Sequence, residues 1–218
     1  MLKSGRHILN SDGESESSSN EMQCEKTSTL LPCPENLVAL DCEMVGVGKS
    51  KHDSLARCSI VDYHGNVLYD QYVQSRDQVT DYRTPWSGIR PKDLENAVPF
   101  LMARRQILQT LKGKIIVGHA LNFDMKILKI HWPKDKIRDT SKFQPLRAKA
   151  NLKDNNTPSL RRLTRELLFR DIQRSTHCSI EDSIAAMDLY RIVENEWEKP
   201  TKSVYFDDLF WPKCLDNK

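Results

Sequence analysis

No stretch of this chain approaches the ~20 consecutive apolar residues that a membrane span requires. Its opening, MLKSGRHILNSDGESESSSN, also holds no apolar core of the kind that marks a secretory signal. No membrane association is therefore expected, and the chain is expected inside the cell. Cysteine is sparse and scattered: Cys24, Cys33, Cys42, Cys58, Cys178 and Cys214 include no CxxC pair. That removes the usual spacing for structural zinc, and inside the cell these thiols stay mostly reduced. The sequon Asn155-Asn156-Thr157 then reads as a chance match, because its use requires secretion. Internal repeats are missing too. With 218 residues there is room to bury a core in one ordinary domain with short flanks, but not for a second full domain.

Net charge is small, +3, yet its distribution is uneven. Residues 1–36 carry three basic and six acidic side chains, whereas residues 138–174 carry ten basic ones (Arg138, Lys142, Arg147, Lys149, Lys153, Arg161, Arg162, Arg165, Arg170, Arg174) against four acidic ones. A positive surplus of this kind suits a polyanion and predicts salt-sensitive binding, although a charge run is as readily a solvated helix face.

Three segments follow from composition and periodicity. Residues 1–35 are rich in serine and glutamate and poor in large apolar side chains, so burial cannot offset the entropy of ordering them, and a disordered arm is expected. Residues 36–198 have the patterns of a folded domain, and residues 199–218 form an aromatic and acidic tail, VYFDDLFWPKCL included, too short to fold alone. Within the domain, the runs Leu37 to Leu40, Leu55 to Val61 and Asn66 to Tyr72 read as strands, with a tight turn at His64-Gly65-Asn66. Phe100 to Leu111 reads as a helix with Leu101, Arg104/Arg105, Leu108 and Leu111 on one line, ended by Gly113. A strand over Lys114 to Val117 leads into an amphipathic helix, Leu121 to Ile130, with Leu121, Met125 and Leu128 on its apolar side. Ile137 to Asp139 reads as a short strand, followed by an irregular basic loop. Thr157-Pro158 reads as a helix start, threonine capping and proline in first position, with Leu160, Leu163 and Leu167 continuing it. Ser179 opens the last helix, whose Ile184, Met187, Leu189, Tyr190 and Val193 face a core. Strands first, then alternating helix and strand, predict an α/β fold with a mixed sheet flanked by helices.

The sharpest local feature is Asp41-Cys42-Glu43, read as the end of the first strand. Side chains alternate across a strand, so Asp41 and Glu43 share a face, where two carboxylates repel unless cations lie between them. Oxygen ligands on a rigid strand suit magnesium or manganese. Asp124 lies on a helix just beyond a strand end, which turns its carboxylate toward the same region; an aspartate on such a helix is ordinarily a surface charge. His119, in the turn before it, reads as a core or turn hydrogen-bonder. Ser179-Ile180-Glu181-Asp182 matches a capping box in which Asp182 and Glu181 serve the first helical turn. The other reading places Asp182 on the metal side of that helix, with His177 leaning over the site as a general base.

The blocks ALDCEMVG, LARCSIV, DYRTPWSGI, KIIVGHALNFD and HCSIEDSIAAMDLY run in this order between about Leu37 and Trp197. They resemble the motifs of the DEDDh exonucleases of ribonuclease-H-like fold, within them the branch containing interferon-stimulated exonuclease and apoptosis-enhancing nuclease. The resemblance implies a ribonuclease-H-like mixed sheet, an acidic set of Asp41, Glu43, Asp124 and Asp182, and His177 as the catalytic histidine. It further implies two divalent cations, Mg2+ or Mn2+, held by the four acids, and Met44 and Arg83 in contact with the terminal nucleotide. The activity it implies is 3′→5′ hydrolysis of single-stranded RNA or DNA to nucleoside 5′-monophosphates. Nuclear or nucleolar residence is expected from the resemblance alone, and a monomer is favoured. The chain departs from the pattern at Asn122-Phe123, where relatives carry a polar pair, at Thr176, where they carry glycine, and in a shorter loop from Gln173 to His177. Two other readings stay open: a nucleic-acid-binding protein of this fold with weakened catalysis, and an interaction platform acting through its arm and tail.

Overall fold

The structure, a computed structural model, describes residues 31–153 and 156–199. The strands are β1 (Leu37–Val47), β2 (His52–Asp62), β3 (Val67–Gln74), β4 (Val79–Asp81), β5 (Val98–Pro99), β6 (Ile115–Gly118) and β7 (Ile137–Asp139). Between and after them come the helices α1 (Thr84–Ser87), α2 (Phe100–Leu111), α3 (Asn122–Leu128), α4 (Gln144–Lys149), α5 (Leu160–Leu168), α6 (Ser179–Arg191) and α7 (Glu194–Trp197). The seven strands form one mixed sheet in the order β5-β3-β2-β1-β6-β7, with β4 added to β1. No described helix is long and apolar enough to cross a membrane.

β1 organises the molecule. Leu37, Val38, Ala39 and Leu40 are all buried, as expected of a strand covered on both faces. Their alternation feeds two cores. Leu37 and Ala39 pack with Leu163 of α5 and Ala185, Ala186, Leu189 and Tyr190 of α6 on one face. Val38 and Leu40 pack with Ala103, Ile107 and Leu111 of α2 and with Leu121 and Met125 around α3 on the other. Truncating a side chain such as Leu163, which is fully buried, to alanine is worth ~2–5 kcal/mol at a site of this kind.

Several expectations are corrected here. The first strand does not end at the acids: β1 continues through Val47 because β2 pairs with it along its length, with a register shift between Glu43 and Met44. The helix Phe100–Leu111 forms, but its buried line is Ala103, Ile107 and Leu111, while Leu101 is 60% exposed. Ala103 and Ile107 set that phase by joining the core of Val38, Leu40 and Val73, and Arg104 beside them donates to the carbonyls of Leu128 (2.8 Å) and Lys129 (2.9 Å) at the C-terminal end of α3. The helix expected from Thr157-Pro158 starts at Leu160, capped by Ser159, whose Oγ accepts from the Arg162 amide. Ser159 is the extended residue, at φ −71° and ψ 153°, from which the helix departs. The loop expected after β7 contains α4, whose Leu146 is buried in the α5–α6 core. The turn at His64-Gly65-Asn66 forms as expected, with Asp62 Oδ1 accepting from the amides of His64 and Asn66 and Gly65 at φ +87°. The arm expected over 1–35 and the tail expected over 199–218 lie almost wholly outside the described residues. Pro34–Asn36 forms a 3-10 turn leading into β1.

Candidate active site

The site begins where β1 loses a neighbour. On one side β1 is paired with β2 throughout. On the other, parallel β6 pairs with Leu37 to Ala39 and antiparallel β4 with Gly46 and Val47. Residues 40–45 therefore lie in a gap between β6 and β4, and this gap holds Asp41, Cys42, Glu43 and Met44. Asp41 and Glu43 continue the row of Leu37 and Ala39 toward α6, as strand alternation dictates. Asp182, in the first turn of α6, meets them: one carboxylate oxygen from each of Asp41, Glu43 and Asp182 lies within 4.8 Å of the others.

Asp124 comes to the same gap from the other face of the sheet. Gly118 ends β6 with no space for a side chain, since a Cβ there would stand 2.4 Å from Leu121 and 3.0 Å from the Leu40 carbonyl. The chain then turns through Ala120 at φ +58°, held by Asp139, whose Oδ1 accepts from the Ala120 amide (2.8 Å) and from Ser141. His119 stays in that turn, with Nδ1 2.9 Å from Thr140 Oγ1, which is the bland role expected of it. So aimed, Asp124 is 4% exposed, and the thiol and main chain of Cys42 beside it favour its charged form against the burial. It is not part of the tight triad, yet its charge bears directly on Asp41.

Electrostatically the four acids are under tension. Burial, then Asp124, Asp182 and Glu43, hold the Asp41 carboxyl well above the usual carboxylate range. Burial and Asp182 push Glu43 up to about 8, against the pull of Arg57. Burial raises Asp124 to about 7 and Asp182 to about 6, the latter opposed by a hydrogen bond from Gln173. Glu43 Oε1 and Asp182 Oδ1 are buried without a hydrogen-bond partner. Buried oxygens of this kind ordinarily find a donor, and converging carboxylates ordinarily find a cation. The capping-box reading of Asp182 is not supported, since α6 has no side-chain cap and Asp182 accepts from Gln173 instead.

His177 lies on the loop before α6, its side chain 42% exposed, with Nδ1 3.6 Å from Asp182 Oδ2. Burial lowers its pKa, favouring the neutral ring. Its amide donates to the carbonyl of Trp86 in α1 (2.7 Å), and Gly88, at φ +70°, lets the two segments abut: a Cβ there would lie 3.0 Å from the His177 carbonyl. Thr176 and the short loop thus still bring the histidine to the acids. Of the two residues expected at the terminal nucleotide, Met44 is half-buried just past the register shift. Arg83 holds Asp53 (2.7 Å) and the Lys51 carbonyl (3.0 Å) at the β1–β2 hairpin. Sequence reasoning passed over Asp139, Arg57 and Gln173, isolated polar residues whose periodicity carries no signal. Arg57 sits across from Glu43, tied to Asp70 through two nitrogens (2.8 and 2.9 Å).

A family model described as exonuclease (RNase_T) matches residues 38–190. The chain belongs to the exonuclease family. Among its relatives is human interferon-stimulated 20 kDa exonuclease-like 2, 52% identical over 183 residues that make up 83% of this chain and 51% of that one. Human apoptosis-enhancing nuclease is 42% identical over 205 residues, 84% of this chain and 63% of that one. The chain spans about half the length of the first curated relatives it matches. Its fold matches the Neurospora crassa Pan2 catalytic unit (TM-score 0.64, 32% identity, 78% of this chain and 28% of that one). It also matches a Saccharomyces cerevisiae Pan2 module solved in complex with A7 RNA (TM-score 0.65, 32% identity, 79% and 31%). The family and the mixed sheet flanked by helices agree with what the motif blocks imply.

Proposed function

We propose that this exonuclease releases nucleoside 5′-monophosphates stepwise from the 3′ end of single-stranded nucleic acid. The observation that supports this most is the meeting of Asp41, Glu43 and Asp182 in the gap of β1, with buried oxygens of Glu43 and Asp182 left bare. This donor set fits hard divalent cations, Mg2+ or Mn2+: Asp41, Glu43 and Asp182 would hold one, and Asp124 with Asp41 a second. When bound, such ions lower the pKa of a water and stabilise the charge on a phosphodiester.

The chain's own residues supply the rest. His177, whose neutral form burial favours and which lies beside Asp182, would take the proton of an attacking water. Met44 offers an apolar contact to the terminal sugar or base. Arg83 offers guanidinium nitrogens to a phosphate, shared with Asp53. The Pan2 modules solved in complex with RNA make single-stranded RNA the first substrate to try, with DNA beside it. Nuclear residence and a monomeric state belong to the same proposal.

The test uses purified protein with 5′-labelled single-stranded RNA and DNA of one sequence, in manganese, magnesium or chelator. A ladder shortening one nucleotide at a time from the 3′ end, dependent on metal, is expected. Asp41→Asn should fold and lose activity on the order of a thousandfold. Internal cuts, or an Asp41→Asn variant that keeps most activity, would sink the assignment.

A further inference from the structure

The residue between the acids and the histidine is Gln173. Its Nε2 donates to Asp182 Oδ2 at 2.8 Å and lies 3.4 Å from His177 Nδ1. The backbone is committed to this placement. Gln173 stands at φ +55°, a left-handed conformation that a side-chain-bearing residue keeps only where its surroundings hold it there. They do: Ile172, fully buried, anchors the loop in the α5–α6 core, and the Gln173 amide donates to Glu181 Oε2 at 3.1 Å.

We propose that Gln173 is a positioning residue for the site, fixing the Asp182 carboxylate and the His177 ring relative to each other. The inference rests on the exonuclease reading above. Its physical basis is the neutrality of the amide. Only the NH2 end can donate to a carboxylate, so the bond to Asp182 fixes which way the amide faces. A lysine or arginine in its place would neutralise the acid that a divalent cation needs, whereas the amide restrains Oδ2 and leaves the charge intact. Asp182 Oδ1 then remains buried and bare, as a ligand awaiting a cation should be. Partners of this outer kind typically set metal affinity by ~10–100-fold. A glutamine serving only to staple the loop has no need to spend its side-chain donor on the acid, since Ile172 and the main-chain bond to Glu181 already do that work.

The test compares the full chain with Gln173→Met, which keeps the length and loses the donor, and with Gln173→Ala. Calorimetric titration with Mn2+ alone should show about tenfold weaker binding in both variants. Turnover on a single-stranded oligonucleotide should fall about ten- to a hundredfold in kcat with KM unchanged, while the thermal midpoint without metal stays that of the wild type. Wild-type Mn2+ affinity and kcat in Gln173→Met would overturn the proposal, as would a lowered thermal midpoint with Mn2+ affinity unmoved, which marks a loop staple only. A wild-type protein that neither binds Mn2+ nor releases nucleotide would instead overturn the exonuclease reading itself.

Discussion

Two charged regions of this molecule treat their charge in opposite ways. In the gap of β1, four carboxylates converge with two buried oxygens unpartnered, and the nearby cation, Arg57, is held by Asp70. Along 138–174 the cations have found carboxylates: Arg138 with Glu198 (2.7 Å), Lys149 with Glu196 (2.8 Å), Arg170 with Asp188 (2.9 Å), and Arg161 and Arg165 with Asp171 (3.3 and 2.9 Å). Three of those partners, Asp188, Glu196 and Glu198, lie beyond the segment, so the positive surplus counted within it overstates what the surface presents. A run of like charge in sequence is thus a weaker sign of a binding face than a few acids that the fold draws together and leaves uncompensated.

The sharpest way to break this contrast is at the acids' own partner. His177→Ala should lower kcat on single-stranded substrate by ~100- to 10,000-fold without unfolding the chain, since the ring is partly exposed and its loss removes a proton acceptor. Stopped-time assays that found turnover within a factor of a few of wild type would move the base elsewhere. On the paired side, Arg138→Ala should destabilise the fold by ~3–5 kcal/mol in urea unfolding with little change in metal binding. Arg138 and Glu198 are only 11% and 10% exposed, and Glu198 also accepts from Tyr190. A loss under 1 kcal/mol would place the pair among ordinary surface contacts.

The third and smallest effect is a pH dependence of stability in chelator. Glu43 at about 8, Asp124 at about 7 and Asp182 at about 6 keep protons that the unfolded chain gives up near pH 4. Between roughly pH 4 and 8 the native state binds more protons, so its stability falls as pH rises. The metal-free thermal midpoint is expected to drop from pH 5 to pH 8, and Mn2+ at pH 8 to recover it. A midpoint that rises over that range would mean the acids are already ionised and compensated without metal.

How much of this was legible in the sequence follows the reach of its periodicities. Alternation along β1 was enough to put Asp41 and Glu43 on one face, and helical spacing was enough to find α2, α3, α5 and α6. The meeting with Asp182 came from the family resemblance, because nothing local links residues so far apart in the chain. Phase and boundary failed where tertiary packing decided them: Ala103 and Ile107 rather than Leu101 entered the core, and Ser159 took the capping role from Thr157. Gln173 and Asp139 were invisible for a simpler reason. Each acts through one carboxylate or one amide set in place by the fold, and a single polar residue in a loop carries no pattern.

The gap in β1 has one more consequence. An unpaired stretch of strand commonly invites a strand from another molecule, the first step toward aggregation, and folds blunt such edges in various ways. Here the unpaired run is largely buried and is bounded at both ends by β6 and β4, so an incoming strand would collide with its own sheet before it could register. The run that carries Asp41 and Glu43 thus leaves room for Asp182 to meet them while denying the length a foreign strand would need.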